Sequence, residues 1–220
     1  MYKIIDTEKW NRKTQYEWFN SFSNPCYGID IELDVTRIVQ YSKASHTSFF
    51  INFLYLMMCS LNSIEEMRLR IVGNEVRLYD VIHPTYTVMT KLEVFDNCKN
   101  LMYDSYPHFY QACQKEVERA KNECSIQPGY NDEESYNVYY ITCLPWLTYA
   151  GMTHPIPNGN KESCSVPRIC FGRFEEKNKR YIMPFNLTVS HALVDGFPCS
   201  KALNTLKENC LRAEEFYIKN

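Results

Sequence analysis

The row from Thr47 to Ile64, TSFFINFLYLMMCSLNSI, is apolar almost all round. A helix with no polar face has to be covered on every side, so this segment belongs inside a layered domain and not on its surface. Its most apolar part, Phe49 to Leu61, is too short to cross a bilayer and is interrupted by Asn52 and Cys59. Ser45 or Thr47 is placed to cap it. The chain is long enough to bury such a helix: 220 residues, 45% hydrophobic and 15% aromatic, with no repeat and no linker, read as one domain over 1–220. A net charge of -2 gives no electrostatic case for nucleic acid or for an anionic membrane. The ten cysteines are scattered without a CxxC pair, which argues against a metal site and for free thiols in a reducing cytoplasm. The opening MYKIIDTEKW has no basic stretch followed by an apolar one, so no secretory signal is expected.

Around the apolar helix the pattern alternates between strands and helices. Thr7 to Phe22 reads as a short aromatic-rich helix, and Cys26 to Leu33 as a strand. Asp34 is placed to cap a helix over Val35 to Lys43. Gly73-Asn74 between Arg68–Ile71 and Glu75–Tyr79 is a two-residue hairpin signal. β-formers run from Thr85 to Phe95, and Ser105 to Glu123 has helical periodicity. The loop QPGYNDEESY leads to a strand over Asn137 to Cys143. A second Pro/Gly-rich loop, His154 to Glu162, precedes strands at Arg168–Phe174 and Tyr181–Ser190, which the charged turn Glu175–Lys179 joins. Cys199 to Phe216 is the closing helix. The fold class expected is α/β, a two-layer sandwich in which helices cover a mixed β-sheet.

Several chemistries drop out. Neither GxGxxG nor GxxxxGK[ST] is present, and GxSxG is missing. The pairs Glu65-Glu66, Glu133-Glu134 and Glu175-Glu176 sit in charged contexts that suit solvated faces. What remains is NLTVSHALVDGFP, where a strand hands over to a helix. A His there, His191, can be a packed structural residue or a neutral imidazole poised to accept a proton. Asp195 either braces the site electrostatically or favours an Asp-Gly turn.

His191, Asp195 and Gly196, with Phe197 after them, form HxxxDG, and the sequence resembles the chloramphenicol acetyltransferase family end to end. The motif is shared with condensation domains, plant-type acyltransferases and the cores of 2-oxoacid dehydrogenase complexes. Other segments narrow the match. IDTEKWNRKTQYEWF is similar to the family's opening, RLRIVGNEVRLYDVIHPTYTV to its hairpin and His-Pro-x-Tyr-Thr-Val strand, and Thr142-Cys143-Leu144-Pro145-Trp146 to its Ser-Ala-x-Pro-Trp element.

The resemblance implies roles. His191 is the general base that takes the hydroxyl proton in direct acetyl transfer from acetyl-CoA to a small-molecule acceptor such as chloramphenicol. Thr142 supplies the oxyanion hydroxyl, and Arg12 is the counter-ion of Asp195. Tyr27, Phe95 and Cys170 match acceptor-side positions, and Arg173 and Phe174 match positions near CoA. A homotrimer with active sites at its interfaces is implied, with no metal. The chain departs from the family pattern at Ser190 and Pro198, where histidines are usual, at Thr142 in place of Ser, and at Cys170 in place of Thr. The alternative is a binding or scaffold protein that keeps the trimer while its site has drifted.

Overall fold

The structure, a computed structural model, describes residues 1–123 and 136–218. The expected loop QPGYNDEESY, apart from Tyr136, and the Glu133-Glu134 pair lie outside them. The strands are β1 (Tyr2–Ile4), β2 (Cys26–Asp34), β3 (Leu69–Val72), β4 (Glu75–Tyr79), β5 (His83–Met89), β6 (Phe95–Lys99), β7 (Val138–Leu144), β8 (Arg168–Gly172), β9 (Glu175–Lys177) and β10 (Arg180–Ser190). The helices are α1 (Lys13–Asn20), α2 (Thr36–Ser45), α3 (Phe49–Asn62), α4 (Tyr106–Glu123), α5 (Lys161–Ser165), α6 (Gly196–Leu211) and α7 (Glu214–Ile218), with a 3-10 turn at Glu65–Arg68.

A seven-stranded sheet runs in the order β2-β10-β8-β7-β5-β6, with β9 beside the start of β10. The β5–β7 and β7–β8 pairs are parallel and the other pairs antiparallel, so the sheet is mixed, as expected. The hairpin forms at Gly73, whose φ of 59° is the left-handed region that glycine tolerates best. It does not join the main sheet: β3 and β4 pair with β1 in a separate three-stranded sheet, since Tyr2–Ile4 captures the free edge of β4.

The apolar helix is α3, and it lies between the sheet and the other helices. Phe53 meets Phe171 and Phe185 of the sheet, while Tyr55 meets Tyr106 and Phe109 of α4. Its cap is Ser48, one residue after Thr47, with Ser48 Oγ accepting from Ile51 N–H at 3.5 Å. The polar residues that interrupt it are satisfied by neighbours, as burial demands. Asn52 Nδ2 donates to Ser42 and Thr47, Tyr106 OH donates to Asn52 Oδ1, and Asn209 Nδ2 donates to Ser60 Oγ at 2.9 Å.

Other boundaries shift for local reasons. The first helix covers only Lys13–Asn20, because Asp6 Oδ1 accepts from Glu8 N–H and turns the chain before it. None of its residues is buried. Asp34 precedes the cap position of α2 by one residue, and its Oδ1 accepts from Thr36 N–H at 3.0 Å. The β-forming run after Thr85 turns back as β6, and the closing helix breaks into α6 and α7. Among the described residues no helix is long and apolar enough to cross a membrane.

Arg70 of β3 is fully buried and donates only to backbone carbonyls, of Tyr136, Met67, Leu69 and Val138 at 2.6 to 3.0 Å. It thereby ties the small sheet to the start of β7. Arg70→Met should strand those acceptors and cost at least about 3 kcal/mol, since an orphaned buried polar group costs roughly 1–3 kcal/mol. At roughly 2–4 °C per kcal/mol for a chain of this size, the melting temperature should fall by about 6 °C or more in a calorimetric scan. An unchanged melting temperature would show that the guanidinium does not hold β7.

Candidate active site

β10 lies between β2 and β8, and eight of its residues, Met183 to Ser190, are buried. The strand continues one step past its end: His191 N–H donates to Pro25 O at 2.9 Å. The chain then turns tightly, with Leu193 and Val194 N–H both donating to Ser190 O, and enters α6. The imidazole is therefore fixed at its root by backbone bonds and emerges where sheet meets helix.

Asp195 occupies the cap position of α6, yet its side chain makes no cap hydrogen bond. Gly196 is the first residue of α6 and has no positive φ, so the Asp-Gly turn is not what the pair forms. The carboxylate instead meets Arg12 in a two-oxygen pair: one guanidinium nitrogen on Oδ2, the other on Oδ1 at 3.2 Å. The second nitrogen also donates to the His191 and Ala192 carbonyls, both at 3.3 Å. Arg12 Cζ lies 5.6 Å from the centre of the Trp10 ring. One arginine thus holds both the motif aspartate and the backbone carrying the motif histidine.

The His191 ring is gripped from two sides. Phe19 of α1 stacks on it at 3.8 Å between centres and 13° between planes, and Tyr27 of β2 lies 4.9 Å away at 45°. Tyr27 OH donates to Val194 O at 3.3 Å, and burial, followed by the neighbouring Cys199 thiol, pushes its phenol pKa up, so it stays protonated. His191 Nδ1 is buried 3.2 Å from Asp195 Oδ1, but out of line for a hydrogen bond. The side chain is 33% exposed, and with Nδ1 turned inward its outward edge is the Nε2 edge. An imidazole so held can take a proton from a hydroxyl presented at that edge.

Arg12, Tyr27, His191 and Asp195 therefore come together. Thr142 and Cys170 do not join them within one chain. Thr142 pairs with Cys170, and Cys170 with Asn186, which lies five residues before His191. Two strand spacings and five residues of rise separate Thr142 from His191 by roughly 19 Å. Phe95 opens the edge strand β6 and is exposed. Arg173 is exposed and paired with Glu175 at 3.2 Å, and Phe174 packs edge-on against Phe49 and Tyr181. A cavity of about 300 Å³ lies between the start of α3, β5 and the Pro145-Trp146 turn, lined by Phe50, Met89, Cys143 and Trp146 among others, but not by Thr142. Of the departures, Pro198 falls in the first turn of α6, where no helical N–H bond is lost, whereas Ser190 Oγ is buried without a partner. Sequence reasoning missed Phe19 as a contact of His191, since a helix face of aromatic residues signals packing without saying against what.

A sequence model of the family described as chloramphenicol acetyltransferase matches residues 1–207. The chain belongs to the chloramphenicol acetyltransferase family. It is accordingly an acyltransferase. Among curated relatives, the chloramphenicol acetyltransferase of Escherichia coli is 24% identical over 211 residues, covering 95% of this chain and 94% of the relative. That of Vibrio anguillarum is 26% identical over 212 residues, covering 94% and 93%. A solved chloramphenicol acetyltransferase superimposes with a TM-score of 0.82 at 24% identity, covering 94% of this chain and 99% of the other. The dihydrolipoamide acetyltransferase of Azotobacter vinelandii shares the fold at a TM-score of 0.65 and 12% identity, covering 94% and 89%.

Because Arg12 serves a carboxylate and two carbonyls at once, Arg12→Ala should remove about 1.5–3 kcal/mol, the range for hydrogen bonds to charged groups. That corresponds to a melting temperature lower by roughly 3–12 °C. Arg12→Lys should recover only part, because an ammonium cannot fork across both oxygens. Equal melting temperatures for the native chain and Arg12→Ala would mean that the pair carries no stability.

Proposed function

We propose that the chain is an acetyl-CoA-dependent O-acetyltransferase that moves acetyl directly to a small-molecule hydroxyl, without an acyl-enzyme. The observation that carries this reading is the one-third-exposed His191 imidazole, clamped between Phe19 and Tyr27 beside a carboxylate already paired with Arg12. In this reading His191 Nε2 takes the acceptor's hydroxyl proton as the oxygen attacks the thioester carbonyl carbon. The carbonyl π pair moves to oxygen, where the Thr142 hydroxyl donates a hydrogen bond. Collapse breaks the C–S bond, and the proton on His191 passes to the departing sulfur, leaving acetyl ester and free CoA thiol. A positioned base contributes roughly 10²- to 10⁴-fold and an oxyanion donor roughly 3–4 kcal/mol in comparable enzymes. Asp195 is a brace here, with no role as a proton acceptor.

The cavity beside Cys143 fits the donor's narrow pantetheine arm: its apolar walls, Phe50, Ile51, Val88 and Met89, suit an alkyl amide chain. Arg173 and Phe174 stand by position for the nucleotide end. The acceptor positions assigned to Tyr27, Phe95 and Cys170 are spread along the sheet, and His191 is far from Thr142 in one chain. An active unit then needs His191 of one copy to face Thr142 of another, in a homotrimer. Two features favour that assembly. Trp18, Trp146 and Phe197 are 62%, 60% and 82% exposed, and a Cβ at Gly196 would meet nothing within 4 Å. Free thiols among the described cysteines suit a reducing cytoplasm. Chloramphenicol, the compound in the relatives' names, is the first acceptor to assay, and antibiotic resistance the role its turnover would give.

Thiol release from acetyl-CoA, read with DTNB, should appear with a hydroxyl acceptor and disappear in His191→Ala by at least 10²-fold, while melting temperature and sedimentation stay the same. Thr142→Val should lower kcat by roughly 10²-fold with little change in CoA affinity. No thiol release with any acceptor, together with no heat of CoA binding, would leave a noncatalytic member of the fold.

A further inference from the structure

Side chains alternate across the sheet, so each strand gives one set of residues to the helices and the other to the reverse face. Thr142, Cys170, Asn186 and Asp30 are successive register partners and form one row on that reverse face. The next row toward His191 holds Tyr140, Arg168, Thr188 and Gly28. The face that carries the proposed oxyanion donor is therefore polar.

Asn186 organises it. Its Nδ2 donates to Asp30 Oδ1 at 2.9 Å and to Met152 O at 3.2 Å, while its Oδ1 accepts from Thr188 Oγ1 at 3.0 Å and faces His154 Nε2 at 3.1 Å. The two acceptors on one side and the hydroxyl on the other settle which way the amide points. Because the amide oxygen can only accept, His154 Nε2–H donates to it, and burial lowers the pKa of the ring. A Cβ at Gly28 would stand 2.7 Å from Thr188 Oγ1, so the cluster closes only over a glycine. Asp30 is consequently held by one oxygen. The other lies 3.8 Å from where a Cβ on Gly151 would stand, and Asp30 lines a cavity of about 270 Å³ with Glu32, Tyr149 and Pro184. Glu32 is paired with Lys177 at 2.9 Å, whereas no basic side chain among the described residues pairs with Asp30. On the same face Thr85 Oγ1 and Ser190 Oγ are buried without hydrogen-bond partners.

We propose that the acetylated alcohol is a hydrophilic molecule carrying a protonated amine, and that Asp30 is the residue that selects it. This rests on the acetyl-transfer reading above. An apolar ring laid over Asp30 would strip water from the exposed carboxylate and give nothing back. An ammonium meets the free Asp30 oxygen in a charge-assisted hydrogen bond. Asn186 and Cys170 are covered by the segment 149–154, so recognition falls to the accessible ends of the row, Thr142 and Asp30. Those ends are three strand spacings apart, roughly 14 Å between backbones. With side chains leaning inward, the amine and the acetylated hydroxyl should lie roughly 10 Å apart.

The test uses tertiary-amine alcohols with about that separation, each paired with its neutral carbon isostere, plus chloramphenicol; a tertiary amine forms no stable amide, so thiol release reports the hydroxyl. The amine member of a pair should show kcat/KM at least tenfold above its isostere. Asp30→Asn should erase that ratio through KM with kcat nearly kept, as expected when uniform binding is lost, and Asp30→Glu should retain part of it. Should Asp30→Asn prove unstable, added salt gives the same information on the native chain: the amine preference should shrink as ionic strength screens the pair. A ratio unmoved by both the substitution and salt, or chloramphenicol and the isosteres outperforming the amines, would overturn the assignment of Asp30 while leaving acetyl transfer intact. Calorimetry with CoA separates the cases, since absence of CoA binding and of any thiol release removes the acetyl-transfer reading and this assignment together.

Discussion

The Arg12 guanidinium is the contact on which the site depends. It joins residues 183 positions apart, and four of its bonds fall on the backbone or side chain of the five-residue segment between β10 and α6. An aspartate at the start of a helix ordinarily accepts from the free N–H groups of the first turn. Asp195 makes no such bond, and its carboxylate is instead a structural link between the first helix and the last long one. Because α1 carries Phe19 as well as following Arg12, the same link that orders the turn also brings the aromatic ring that stacks on His191. Electrostatics and packing are thus coupled through a helix that buries none of its own residues.

The mixed sheet separates two kinds of work. Odd-numbered positions of β10, such as Phe185, Leu187 and Val189, enter the core with α3. Even-numbered ones, Asn186, Thr188 and Ser190, form the polar reverse face. Burial on both faces makes the strand stiff, and a stiff strand fixes His191 to better precision than a loop would. Arg70 does comparable service at the other side of the sheet by bonding carbonyls at Tyr136 and Val138, where β7 begins its run toward Thr142.

Local signals were readable because their causes are local. Gly73-Asn74 announced a hairpin since only a left-handed φ closes so short a turn, and the all-apolar row announced α3 since such a helix has nowhere to go but inside. β1 and β6 escaped for the opposite reason: Tyr2–Ile4 is exposed, and β6 carries Asp96, Asn97 and Lys99, so neither has the apolar pattern of a strand. The Arg12–Asp195 pair came from resemblance to a family, as nothing in spacing links positions so far apart. The Asn186 cluster was hidden because β10 is buried on both faces. Its polar residues looked like interruptions in an apolar run, and only the register with Asp30 and Cys170 shows that they share a side.

That division of the sheet bears on how the proposed reaction would be tuned. The proposed base, His191, stands at the end of β10, and the proposed oxyanion hydroxyl stands two strands away and far along the sheet. On the acetyl-transfer reading no single chain positions both, so the precision of attack depends on how two copies meet, while recognition of the acceptor depends on the reverse face of one. Changes at Phe19, Tyr27 or Arg12 then act on the orientation of the imidazole and on kcat, and changes at Asp30 or His154 act on which alcohol is held and on KM. A chain organised this way can exchange one acceptor for another by altering the polarity of one sheet face, with the clamp around His191 left in place.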